Sequence, residues 1–145
     1  MPAAGERKDP FKAYNFELEI GGKRAGFQEC SGLDSSQDPI EYREGNEKTL
    51  TVRKLPGLVK YSNITLKYGV TDDTSLWEWL TKAVTGEAER LDGTISLLDD
   101  KQQKKVTWKF VSGWPTKWTG TTFNSTSNEV AIETLEIAHE GIQKG

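Results

Sequence analysis

The feature that most constrains this chain is a two-residue period that recurs along most of its length. In "YNFELEI", Tyr14, Phe16, Leu18 and Ile20 alternate with Asn15, Glu17 and Glu19. In "KYSNITLKYG", Ile64, Leu66 and Tyr68 point one way, and Tyr61, Asn63, Thr65 and Lys67 the other. Successive side chains of a strand face opposite sides of its sheet, so each run predicts a strand with one apolar and one wet face. Gly21-Gly22 after the first run signals a hairpin turn into "RAGFQECSG", with Phe27 as its core candidate. "IEYREG" and "KTLTVRKL" follow, Leu50 and Val52 alternating with polar neighbours, and Leu55-Pro56-Gly57 reads as a turn. Later, "GTISLLD" and "KKVTWKFVSG" are joined by the polar loop "DKQQK". In the second of these, Val106, Trp108 and Phe110 oppose Thr107, Lys109 and Val111, and "WPTKWTGTTFNSTSN" reads as a loop. The last run pairs Val130 with Ile132 and Leu135 with Ile137, and a β-bulge between the pairs would keep all four on one face.

One segment changes period. In "SLWEWLTKAV", a 100° step puts Leu76, Trp77, Trp79, Leu80, Ala83 and Val84 on one side and Glu78, Thr81 and Lys82 on the other. Ser75 and Glu78 have capping-box spacing, Asp73 and Thr74 are alternative N-caps, and Gly86 suits the C-terminal cap. The coarse map is roughly seven or eight strands with a helix after the fifth. The fold class is mainly β, a barrel- or sandwich-like subunit with one flanking α-helix over about residues 75–85.

A chain of 145 residues fits a single domain, 1–145, with residues 1–10 a flexible lead-in. Aromatic residues make up 10%, too many for a disordered chain. A net charge of -3 argues against a primary role on nucleic acid or an anionic membrane. No apolar run is long enough to span a bilayer, and no apolar segment follows the first charges as in a secretory signal, so the expectation is folding in cytosol. Cys30, the only cysteine, leaves no disulfide within the chain.

Little here supports catalysis. His139 is the only histidine, and the reading is a strand-end residue with an ordinary hydrogen bond rather than a base. Cys30 and His139 would make a Cys–His pair only if the fold brought them together. Asp72-Asp73 and Asp99-Asp100 read as solvated turn acids, since calcium needs more oxygen ligands at set spacing. Neither a metal nor a cofactor is expected. A second reading comes from "KQQKKVTWKFVSGWPTKW": lysines interleaved with Trp108, Trp114 and Trp118 suit a monomeric barrel that binds single-stranded nucleic acid or a glycan.

Four phrases taken together point elsewhere. "FQECSGLD", "EYREG", "KLPGLVKYSNITLKYGVTDDTSLWEWL" and "SNEVAIETLEIAHEGI", in that order from Tyr14 to Ile142, resemble the tail-tube proteins of contractile phages and phage-tail-like injection systems. The resemblance implies a non-enzymatic subunit without cofactors, which forms hexameric rings that stack into a hollow tube. It implies a contractile sheath around that tube, baseplate and spike proteins at its end, and protein cargo or DNA in its lumen. The tube would be assembled in the bacterial cytoplasm as part of a phage tail or tail-like particle. Carried onto this sequence, the family's loop region falls on Tyr42, Arg43, Glu44, Lys54, Leu55 and Pro56, as the inter-subunit and inter-ring element. The wet face of Asn63, Thr65 and Lys67 becomes the candidate lumen lining.

Overall fold

The computed structural model describes residues 9–46, 48–70, 72, 74–126 and 128–145. Among these, the elements in chain order are β1 (Phe16–Ile20), β2 (Lys23–Ala25), β3 (Glu29–Ser31), β4 (Ser35–Tyr42), β5 (Arg53–Tyr61) and β6 (Ile64–Gly69). Then come α1 (Ser75–Val84), β7 (Leu91–Leu98), β8 (Lys104–Thr119), β9 (Ile132–Ala138) and β10 (Gly141–Lys144). The helix thus follows the sixth strand, and the strands are more numerous than the periodicity suggests. The lead-in expectation falls mainly on residues 1–8, which lie outside the described residues, as does Asp73.

The main sheet has the strand order β2-β1-β7-β8-β9-β6-β3, with β10 pairing β8. Its two end strands are consecutive in the chain, joined through residues 26–28. That connection spans at most about 14 Å, so the sheet must roll until its ends approach. The rolling point is β8, whose first part pairs β7 and β10 and whose second part pairs β9. Ser112 takes φ 54° at the bend, and its N–H donates to Asp92 Oδ1 at 3.0 Å. The strand then runs on through Trp114, Pro115 and Trp118, where Gly and Pro suggest a loop. Pro115 is buried opposite Ile137, beside a register shift that absorbs its missing N–H.

Alternation fills the interior. Leu18, Ile20, Ile64, Leu66, Ile95, Phe110, Leu135 and Ile137, with Trp79 from the helix, form the core. Phe110 lies against the backbones of Gly93 and Gly113, where an added Cβ would come within 2.3 and 2.6 Å of its ring. Phe27 packs on this core from the link between β2 and β3. The Gly21-Gly22 turn closes the β1–β2 hairpin with both residues at positive φ.

Several expectations are corrected. Leu55, Pro56 and Gly57 lie inside β5 rather than in a turn. Leu50 and Val52 lie outside any strand and are exposed, as are Tyr14 and Val130. No bulge separates Ile132 from Leu135: the β6–β9 register runs unbroken from Ile64↔Ile137 to Gly69↔Ile132, and the slip lies in β8 instead. On α1, Trp79 is buried, but Trp77 and Val84 are 51% and 77% exposed. Thr74 is the N-cap residue, so Ser75 is the first helical residue and not half of a capping box. The Thr74 hydroxyl meets Glu78 Oε1 at 3.2 Å. At the other end Gly86 and Glu87 donate to Ala83 and Lys82 carbonyls, a Schellman closure.

Candidate functional site

The β4–β5 pair grows directly out of the barrel wall. β3 pairs β6 with Ser31 opposite Thr65, and β4 pairs β5 in the same register with Ser35 opposite Tyr61. The two pairs are therefore one long ribbon: its root belongs to the main sheet, and its outer part belongs to nothing. β4 has eight residues, all exposed, and reaches roughly 25 Å at ~3.3 Å per residue.

The ribbon is shaped by one irregularity. The register shifts between Gln37 and Pro39, with an extra residue on the β5 side. Pro39 and Pro56 then stand opposite each other, which an unpaired two-stranded ribbon tolerates because each strand keeps a free edge. Gln37 Nε2 ties across the bulge to the Gly57 carbonyl at 3.2 Å, and Lys60 pairs with Asp38 at 2.9 Å. Beyond the bulge the pairing Ile40↔Leu55 and Tyr42↔Arg53 puts these four side chains on one face, while Pro39↔Pro56 and Glu41↔Lys54 occupy the other. Near the tip, Tyr42 donates to Glu44 at 3.3 Å and Arg43 Nε to the Thr49 carbonyl at 2.9 Å. Of the loop residues named from the sequence, Tyr42, Lys54, Leu55 and Pro56 are in this ribbon, and Arg43 and Glu44 lie at the tip. Ile40, Leu55, Leu58 and Val59 are all exposed, Leu58 at 78%. A hairpin of two strands is marginal alone, and this one spends apolar surface on water.

The wet face of β6 is real but mixed in charge. Thr65 and Lys67 lie opposite the buried Ile64 and Leu66, while Asn63 stands just before the strand. Lys67 pairs with Glu29 at 3.5 Å, and Lys117 approaches Glu136 at 4.0 Å. Cationic and anionic side chains thus interleave across β3, β6, β9 and the end of β8.

The remaining candidates are dispersed. His139 closes the root of the ribbon. Its Nδ1 accepts the Gly141 N–H at 3.2 Å, which leaves Nε2 to donate to the Ser62 carbonyl at 2.9 Å. Both ring nitrogens are committed to backbone, so neither addresses Cys30. Burial pushes the Cys30 thiol up to about 11, far from a reactive thiolate. The three tryptophans of the binding alternative make no common platform. The ammonium of Lys144 stands 5.5 Å from the Trp108 ring centroid, Trp114 pairs opposite Ala138, and Trp118 meets Trp77 edge-on at 5.0 Å. The Trp77–Trp118 contact escapes a periodicity argument, because one partner scans as core and the other as loop.

Comparison with known proteins supplies the frame. The family model for the T4-like virus tail tube protein gp19 matches residues 12–143. No curated protein matches the chain. Among solved structures, it is similar to a chain in the PVC sheath-tube complex of an extracellular contractile injection system, in the extended state. There the TM-score is 0.89 and the identity 30%, over 100% of this chain and 99% of that one. It is also similar to a chain in the tube-terminating cap of the anti-feeding prophage, at TM-score 0.87 and 29% identity over 100% and 99% of the two chains. Hcp1 from Flavobacterium johnsoniae, at TM-score 0.57 and 22% identity over 91% of this chain and 95% of that one, shares the fold alone. These likenesses favour a tube protein over a monomeric binding barrel. With a family match across nearly its whole length and a barrel that carries an uncovered ribbon, this chain belongs to the T4-like tail tube proteins.

Proposed function

We propose that the chain forms hexameric rings that stack into a hollow tube, enclosed by a contractile sheath and seated on baseplate and spike proteins. The observation that carries this is the β4–β5 ribbon, exposed along its length with Ile40, Leu55, Leu58 and Val59 in solvent, on a barrel with a core of its own. Such a surface is stable only when covered, and in a self-assembling subunit another copy covers it. Tyr42, Arg43, Glu44, Lys54, Leu55 and Pro56 then act at contacts between subunits and rings. Asn63, Thr65 and Lys67 line the channel, where paired rather than single-sign charge suits passage of protein cargo or DNA without strong retention. The sheath partner is supported by the sheath-tube complex in which a similar chain occurs. The role is structural and not enzymatic, and assembly takes place in the bacterial cytoplasm. No described helix is long and apolar enough to cross a membrane.

Light scattering of the purified protein at rising concentration tests this against a Leu55→Asp, Leu58→Asp double variant. Concentration-dependent growth in the wild type, lost in the variant while its circular dichroism stays unchanged, is the expected result. Equal behaviour of the two proteins would remove the ribbon from the assembly.

A further inference from the structure

Five side chains from separate parts of the fold converge beside α1. Phe27, from the link between β2 and β3, stands edge-on to Tyr68 of β6, with ring centroids 5.8 Å apart. Trp77 of α1 stands edge-on to Trp118 of β8 at 5.0 Å. Glu133 of β9 joins the two aromatic pairs: it accepts from Trp118 Nε1 at 3.3 Å and from the Tyr68 hydroxyl. Phe27, Tyr68, Trp77 and Glu133 line a groove of about 520 Å³, a size typical of small-molecule sites.

The charge of this groove is unbalanced. Glu133 is half-buried, both of its partners are neutral, and among the described residues it has no ion pair. Glu78 and Glu89 also line the groove, and Lys82 is the one cation among its described lining residues. That cation is spent on Glu89, at 3.2 Å. Glu78 sits in the first turn of α1, where the helix N-terminus already favours a carboxylate. Glu133 has no such compensation. An anion would be repelled here, and an uncharged apolar guest would strip water from the carboxylate and return nothing. A single carboxylate already engaged by two donors does not make up the oxygen set of a divalent metal ion. A weakly hydrated organic cation meets both demands, since its charge answers Glu133 and its carbon surface packs on the rings. We propose that the α1 groove binds a small organic cation, an ammonium carrying an aryl or alkyl group, with Glu133 as its counter-ion and Phe27, Tyr68 and Trp77 as its walls. The site is complete within one subunit. It does not depend on tube formation, so failure of either reading leaves the other in place.

The test is calorimetric titration of the full chain at about 0.15 M salt, where long-range attraction to an acidic protein is screened. Three probes of similar size are compared: benzyltrimethylammonium, benzyl alcohol and phenylacetate. The cation should bind saturably at one site per subunit, and the neutral and anionic probes about tenfold more weakly or not at all. Glu133→Gln keeps an acceptor for Trp118 and Tyr68 but removes the charge, and should weaken the cation about tenfold while leaving benzyl alcohol unchanged. Trp77→Ala changes a residue 51% exposed, so the core under α1 stays in place, and it too should weaken the cation about tenfold. No saturation with the cation would overturn the site. Equal binding of the three probes, or an affinity for the cation unchanged in Glu133→Gln or in Trp77→Ala, would overturn it as well.

Discussion

Substituting Gly32 by Ala probes the joint where the ribbon leaves the barrel. Gly32 lies between β3 and β4 at φ 92°, and an added Cβ would stand 2.0 Å from the Asn63 carbonyl oxygen and 3.2 Å from Ile64 Cα. The backbone conformation alone costs a residue with a Cβ about 1–2 kcal/mol. The overlap is with backbone, so no rotamer change relieves it. Either the β3–β6 pairing or the ribbon root has to move, adding roughly 2 kcal/mol by analogy with overpacked sites. A total near 3–4 kcal/mol lowers the melting temperature by roughly 10 °C in a chain of this size. Gly22→Ala is the internal control: φ is 81°, but nothing lies within 4 Å of the new Cβ. It should cost about 1 kcal/mol, the conformational part alone. Thermal unfolding by circular dichroism gives the comparison. Hydrogen exchange at Ser62, whose N–H donates to the Asp34 carbonyl at 3.2 Å, locates the damage at the root. Equal losses for the two variants would refute the close approach of Gly32 to Asn63.

Further expectations follow from single contacts. Trp79 Nε1 donates to the Glu89 carbonyl at 2.7 Å, so Trp79→Phe should cost about 1 kcal/mol in urea titration, and Trp79→Ala about 3–5 kcal/mol by also emptying the space under α1. His139→Ala removes both hydrogen bonds at the ribbon root and should cost about 1–2 kcal/mol in the same titration while leaving the assembled tube's function intact. The N–H groups of Gln103 and Lys101, each 2.9 Å from Asp99 Oδ1, hold that carboxyl below its ordinary value of 3.8. Because the folded value is depressed, its stabilising effect is present above the unfolded pKa and is lost as pH falls through the folded one. Asp99→Asn should therefore flatten the acid side of the melting-temperature profile; an unchanged slope below about pH 4 would remove Asp99 from that transition.

What could be read from the sequence depended on whether a residue's fate is decided locally. Leu18, Ile20, Ile64, Leu66, Phe110, Leu135 and Ile137 alternate within their own strands, and all are buried. The helix was legible because its period and its Gly86 closure lie in one short segment. Pro56 and Gly57 mislead because their turn chemistry holds only if no partner strand arrives; Pro39 opposite and a bulge beside them make room for a strand. The same failure recurs at Gly113 and Pro115, where a strand crossing from one side of the barrel to the other needs those residues to bend. The ribbon tip residues are singled out only through likeness to tube proteins, since an exposed hairpin and an interface hairpin share one pattern. The groove was invisible for a different reason: Phe27, Tyr68, Trp77 and Glu133 come from four separate segments, and only the rolled sheet sets them together.

In the proposed tube this barrel is a repeating unit completed by its neighbours through the ribbon. Electron cryomicroscopy of the purified wild-type protein at high concentration tests it most directly. Six-fold hollow rings, single or stacked, are expected, with residues 35–61 buried against an adjoining copy and Thr65 and Lys67 facing the channel. Particles that stay monomeric at every concentration, even when baseplate components are added to nucleate them, or rings in which that ribbon remains in solvent, would contradict it.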